Sequence, residues 1–218
     1  MPATYDNSVF INCPFDSDYR PLLEAVVFAV YDCGYVPRCA LEVDDSSQVR
    51  IQKITSMIGQ CRLAIHDISR TQLDEAFRLP RFNTPFEFGI FVGAKAFGGR
   101  EQRRKACVVF DVERYRFQKF ISDIAGQDIR EHRCDVEMVI HQVRDFLSCH
   151  YPAAVILPGG RTLVERYHAF SRHMADPCPH LGLDRDGLTY RDLANMVVGW
   201  IDLHPLPHHA LNGVHKAA

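Results

Sequence analysis

The run "SVFINC" (Ser8 to Cys13) is short, apolar and rich in β-formers, and directly after it the hydrophobic period changes. From Tyr19 to Cys33 the residues Leu22, Leu23, Val26, Val27 and Val30 share one helical stripe, which Gly34 stops. "YVPRCAL" (Tyr35 to Leu41) reads as a second strand, short or at a sheet edge, because Pro37 has no N–H to give to a ladder. Ser47 to Gly59 carries Ile51, Ile54, Met57 and Ile58 at helical spacing, and "RLAIHDI" (Arg62 to Ile68) is a third strand. Beyond a long polar connection the pattern predicts a helix over Pro85 to Phe97, a strand over "ACVVFDV" (Ala106 to Val112) and a short helix over Phe117 to Ile124. "GQDIREH" supplies a weak fifth strand, and Asp135 to His150 a last helix with Val136, Val139, Ile140, Val143, Phe146 and Leu147 inward. β runs separated by helices predict an α/β fold, an open parallel sheet with helices on both faces, because parallel neighbours need a crossover.

Pro152, Pro158, Gly159 and Gly160 mark a boundary, so residues 1–151 are expected to form the α/β domain and 152–218 a small helical C-terminal unit. In that unit Leu163, Tyr167, Phe170 and Met174 share a helix face. Thr189 and Asp192 resemble a capping signal ahead of Leu193, Met196, Val197, Trp200 and Ile201. The unit is expected to pack on the sheet domain or on a partner. The tail "HPLPHHALNGVHKAA" is expected to be loose, its His204, His208, His209 and His215 being either an adventitious metal binder or a plain disordered end.

Composition narrows the picture. With 47% hydrophobic and 24% charged residues over 218 positions, the chain can bury a sizeable core. Its 25 basic and 27 acidic residues leave a formal charge of -2, and nothing in that balance calls for nucleic acid as a partner. The longest apolar run, Ala25 to Tyr31, falls far short of the roughly 20 residues of a membrane span, and the start lacks the build of a signal peptide. The eight cysteines stand singly without a CxxC pair, which suits reduced, mostly core residues of a cytoplasmic protein.

Ligands of open parallel sheets sit beyond the carboxyl ends of the strands. That rule selects Asn12, Cys13, Phe15, Asp16 and Asp18 after the first strand, and Glu42, Asp44, Asp45, Ser46 and Ser47 after the second. It adds His66, Asp67, Ser69 and Arg70 after the third, with Asn83, Thr84 and Glu87 at the start of its helix, and Asp111 after the fourth. These loops are rich in carboxylates and poor in clustered basic residues. GxxxxGK[ST], GxGxxG and GxSxG are absent, and histidines and cysteines never fall at paired ligand spacings, so no metal and no cofactor are expected. Acidic loops without a metal signature suit sugar chemistry, in which a carboxylate faces a developing cation.

Glu87 lies in the apolar stretch "FNTPFEFGIFVGA" and has two readings. Thr84-Pro85-Phe86-Glu87 fits a capping box, the glutamate bonding back to a backbone N–H. Alternatively Glu87, kept ionised by the helix dipole, projects into the crevice between walls formed by Phe86 and Phe88, placed for glycosidic cleavage. Asp67 either caps the next turn or takes part in catalysis, and "DDSS" (Asp44 to Ser47) either caps a helix or binds a ribose hydroxyl. His66 alternates to the opposite face as a core histidine. Gly89 and Gly93 are expected to permit close packing, "GREQRRK" (Gly99 to Lys105) to be a solvated loop, and Tyr115, Phe117 and Phe120 either to line the pocket or to seal the sheet edge.

"FNTPFEFGIFVGAKAFG" resembles the segment of nucleoside 2-deoxyribosyltransferases in which Glu-x-Gly opens a helix, and "RLAIHDIS" resembles the strand before it. "VFINCPFDSDYRPLLEAV" is similar to the first strand and loop of that family and of the TIR-like domains that cleave NAD. The resemblance spans about residues 8 to 112 and implies a flavodoxin-like fold acting on the N-glycosidic bond of a nucleoside or nucleotide. It implies Glu87 as nucleophile or oxocarbenium stabiliser and Asp67 as the partner that orients sugar or base. Asn12, Phe15, Asp16, Asp45, Ser69, Asn83 and Phe86 would form the substrate site, and a homo-oligomer is expected. The alternative is a non-catalytic module that binds a nucleotide signal in the same crevice.

Overall fold

A computed structural model describes residues 2–71, 73, 79–152, 155–174 and 185–209. The elements are β1 (Ser8–Asn12), α1 (Arg20–Asp32), β2 (Val36–Arg38), α2 (Arg50–Gln60), β3 (Leu63–Asp67), α3 (Asn83–Phe97), β4 (Ala106–Asp111), β5 (Ile129–Glu131), α4 (Val136–Ser148), α5 (Gly160–His173) and α6 (Tyr190–Leu203). The strands form one five-stranded parallel sheet of order β2-β1-β3-β4-β5, a flavodoxin-like arrangement. Register pairs Val9 with Leu63 and Asn12 with His66, and Leu63 with Ala106. β1 and β3 are buried along their whole length, so both alternating sets of side chains leave water, as parallel strands require. β2, with Pro37, is the short edge strand that the sequence predicts. The predicted helix over Phe117 to Ile124 is instead two single turns, Arg116–Lys119 and Ser122–Ile124.

Packing divides the chain into two units. One holds Ala3–Arg20 and Pro37–Asp135, and with them the sheet, α2 and α3. Its core joins Phe10, Ile54, Met57, Ile58, Ala64 and Phe91, and a second cluster joins Ile68, Phe88, Val109 and Phe117. Phe117 therefore belongs to the core, whereas Tyr115 is exposed. "GREQRRK" is solvated except at its last residue. Lys105 is buried, donates to the carbonyls of Ile58 and Cys61, and lies over the Phe91 ring at 4.7 Å. Burial lowers its pKa to about 8. Gly89 and Gly93 do not mark close packing, since a Cβ at either would meet no atom within 4 Å.

The other unit is built on Pro21–Val36 and the chain from Val136 onward, so α1 and α4 group with α5 and α6 across the linear boundary expected near residue 151. Its centre is aromatic: Phe28 stacks on Phe170 at 5.2 Å and meets Tyr167 and Trp200 edge-on or tilted. The buried Asp32 carboxylate takes two bonds from Arg166, at 2.8 and 2.7 Å. The described part of the tail, up to residue 209, is less loose than expected, because His208 and His209 both donate from Nε2 to the Asp32 carbonyl oxygen, at 2.6 and 2.9 Å. His215 lies outside the described residues. Among the described residues no helix is long and apolar enough to cross a membrane. The seven described cysteines form no disulfide, and four of them are buried.

Candidate functional site

In the order β2-β1-β3-β4-β5 the chain reverses direction across the sheet between β1 and β3, and the crevice beyond their carboxyl ends is where this architecture leaves room for a ligand. A cavity of about 290 Å³ lies there. Asn12, Cys13, Pro14, Phe15 and Asp16 come to it from the end of β1, Arg50 from the first turn of α2, and Arg70 from the connection after β3. Arg81 precedes α3, and Asn83, Thr84 and Glu87 belong to it. Residues 83, 84 and 87 share a face at helical spacing, so one turn of α3 makes a whole wall.

The wall is fixed from below by His66. Desolvation lowers its pKa to about 3, so the ring is neutral among Phe10, Phe88 and Phe91. Its Nδ1 accepts from the Asn12 amide nitrogen at 3.0 Å, which leaves the proton on Nε2. The same amide donates to the Thr84 carbonyl at 2.8 Å. A core histidine thus aims the asparagine that ties the end of β1 to the first turn of α3.

The expected capping box does not form. Phe86 N–H donates to Phe82 C=O at 2.9 Å, so α3 begins at Asn83, with Phe82 as an N-cap that has no side-chain cap bond. Thr84 is already helical, and Glu87 sits one turn further in. Its side chain is largely buried, with the residue 7% exposed, yet among the described residues no hydrogen bond or ion pair reaches its carboxylate. Burial raises its pKa, against a weaker pull from the Arg50 charge. Desolvation therefore works against the ionisation that the helix dipole is expected to favour.

Other expected residues separate into two groups. Asn12, Phe15, Asp16 and Asn83 line the cavity with Glu87. Asp67, Ser69, Asp45 and Phe86 do not. Asp67 is fully buried and accepts from Tyr19 Oη at 2.6 Å and from Ser69 N–H at 2.8 Å, with His132 Nε2 at 3.1 Å. Because His132 Nδ1 accepts from the Cys134 N–H at 2.9 Å, its Nε2 carries the proton, but that N–H lies close to Asp67 without making a hydrogen bond. Ser69 C=O accepts from Arg116, which also binds Asp111. Asp45 accepts from Ser47 N–H at 2.9 Å and from its hydroxyl at 2.7 Å, so "DDSS" organises its own turn. Phe86 is 60% exposed and Phe88 lies in the core, so neither forms the expected aromatic wall, and among the described residues Phe15 is the aromatic one at the cavity.

Sequence reasoning did not see Arg50 or Arg81 and took the loops as poor in clustered base. Among the described residues the structure gathers three guanidiniums, Arg50, Arg70 and Arg81, from separate positions in the chain. The one local signal was placement, as Arg50 falls in the first turn of the helix predicted over Ser47 to Gly59 and Arg70 follows a predicted strand. Arg70 is held at 3.1 Å from Asp16 and 3.4 Å from Asp18. Cys13, although at the cavity, is buried with its thiol pKa pushed up, which does not suit a thiolate nucleophile. Among the described residues no group of His, Cys, Asp and Glu could hold a metal ion.

Compared with known proteins, the chain matches no family model, no curated protein and no solved structure.

Proposed function

We propose that the cavity binds a nucleoside or nucleotide and that the Glu87 carboxylate acts on its N-glycosidic bond. The observation that carries this reading is a buried carboxyl group, free of protein partners among the described residues, at a cavity on the β1/β3 switch point. As the C–N bond breaks, its electron pair leaves with the base and positive charge grows on the sugar. A carboxylate that is poorly solvated in the resting protein gains most from that charge, so the interaction is stronger in the transition state than in the ground state. Glu87 then either stabilises the cation or bonds to the anomeric carbon, with water or a second base as the acceptor. The short motifs that resemble nucleoside 2-deoxyribosyltransferases and TIR-like domains support the same chemistry.

The test is release of free base. The purified chain is incubated with a panel of nucleosides, nucleotides and NAD, and the products are separated by chromatography. Base release that vanishes in Glu87→Gln is expected, and an undiminished rate in that variant would sink the reading.

A second reading, a nucleotide sensor without turnover, is favoured by one observation. Asp67 is committed to Tyr19 and Ser69, and Asp16 is bound to Arg70, so among the described residues no second acid lining the cavity is left to face the leaving base. Saturable binding without base release would decide for it.

A further inference from the structure

We propose that the ligand of this cavity is a mononucleotide, its phosphate held by Arg50 and Arg70 beside the first turn of α2 and its glycosidic carbon turned toward Glu87. This rests on the reading of Glu87 given above and narrows its substrate class.

Charge is the first argument. The chain carries a formal -2, yet among the described residues this cavity brings together three guanidiniums against two carboxylates. Arg50 is exposed, and among the described residues no hydrogen bond or ion pair engages it. Arg70 is half-exposed and oriented by Asp16 and Asp18, so its position is set before a ligand arrives. An exposed guanidinium alone holds an anion weakly. Two in one cleft, next to a helix N-terminus, reinforce each other because guanidinium forks and free N–H groups both match phosphate oxygens. Arg50 is the first residue of α2; its N-cap Val49 makes no side-chain cap bond and the Gln52 N–H is taken by the Val49 carbonyl at 2.9 Å, which leaves the N–H groups of Arg50 and Ile51 for a ligand.

The second argument is independent of the arginines. Glu87, only 7% exposed and without a protein partner among the described residues, lines the same cavity, so one site offers both a cationic rim and an unengaged buried acid. Such a pair fits a ligand with an anionic end and an end that becomes cationic during reaction.

Size is the third argument. A volume of about 290 Å³ stands at the bottom of the range for small-molecule sites, roughly 300–1,000 Å³. It takes up one nucleotide, whereas half of a dinucleotide would have to lie outside it. There is no glycine-rich loop, so side chains rather than a backbone cradle read the phosphate.

The experiment is calorimetric titration of the full chain carrying Glu87→Gln, so that turnover does not interfere. The probes are AMP, GMP, CMP and UMP, their nucleosides, and NAD. At least one monophosphate is expected to bind about tenfold or more tightly than its own nucleoside. Adding Arg50→Gln closes most of that gap, and raising the salt concentration narrows it. Arg50 is exposed, so the variant is expected to keep its fold, which circular dichroism checks. Equal binding of nucleoside and monophosphate, no effect of Arg50→Gln, tighter binding of NAD than of every monophosphate, or no binding of any probe would each overturn the inference. Base release from unphosphorylated nucleosides alone would defeat the inference and leave the role of Glu87 standing. Phosphate-dependent binding without base release by the unaltered chain would do the reverse.

Discussion

Thr189-Tyr190-Arg191-Asp192 and Thr84-Pro85-Phe86-Glu87 both place a threonine three residues ahead of an acid at the start of a helix. At α6 the pattern becomes a capping box: Asp192 N–H donates to Thr189 Oγ1 at 3.2 Å, and Thr189 N–H to the Asp192 carboxylate at 3.0 Å. The threonine hydroxyl and backbone bonds hold the Asp192 pKa below its ordinary value. At α3 the helix starts earlier, the threonine lies inside the first turn, and burial drives the Glu87 pKa upward. The same short pattern yields a carboxylate that serves the backbone in one place and one left facing a cavity in the other. A capping signature therefore marks a helix start, and whether its acid is available depends on where the helix actually begins.

The largest effect expected from this contrast is on turnover. Glu87→Gln should lower base release by about 10²–10³-fold, the range found for a group acting on transition-state charge. Asp67 sharpens the comparison, since it is buried more deeply than Glu87 but is fully bonded. Asp67→Ala should act on the fold, costing about 3 kcal/mol in urea unfolding, because the buried Tyr19 hydroxyl and Ser69 N–H both lose their acceptor.

Smaller effects separate the two helix starts themselves. Thr189→Ala should destabilise by about 1 kcal/mol, the cost of a lost N-cap. Thr84→Ala should stay within about 0.5 kcal/mol in the same unfolding experiment, and a loss equal to that of Thr189→Ala would mean that the second capping box exists after all.

The smallest effects are pH-dependent and opposite in sign. The Asp192 contribution is present above the ordinary carboxyl pKa and is lost as pH falls through its depressed folded value. Glu87 behaves the other way. Between its ordinary value of 4.5 and its raised folded value, the native chain keeps a proton that the unfolded chain has released, so stability falls as pH climbs through that window. Thermal melts of Glu87→Gln and the parent chain should coincide near about pH 4 and diverge toward about pH 8, with the variant the more stable. A variant less stable at the higher pH would show that the carboxylate is paired.

Much of the architecture was legible in the residue pattern because burial is periodic. β1 and β3 announced themselves as short apolar runs, Pro37 marked the edge strand, and Thr189 with Asp192 marked the start of α6. Most of the cavity wall was legible too, since Asn12, Cys13, Phe15, Asp16, Arg70, Asn83, Thr84 and Glu87 follow from knowing which strand ends face a crevice. Local chemistry could not tell Asp67 from Glu87. Both are acids beside apolar residues, and only their partners differ: Tyr19 and His132 come from 48 residues before Asp67 and from beyond β5.

The sequence by itself determined the order and type of the main elements, because side-chain periods of two and near four report which faces leave water. Only the tertiary structure decided which acid is engaged, that Arg50, Arg70 and Arg81 meet at one cavity, that Lys105 is buried rather than solvated, and that α1 and α4 group with the C-terminal helices. The reason is physical. A hydrophobic period is a property of neighbours along the chain, whereas desolvation, charge clustering and hydrogen-bond satisfaction depend on groups brought together from distant positions.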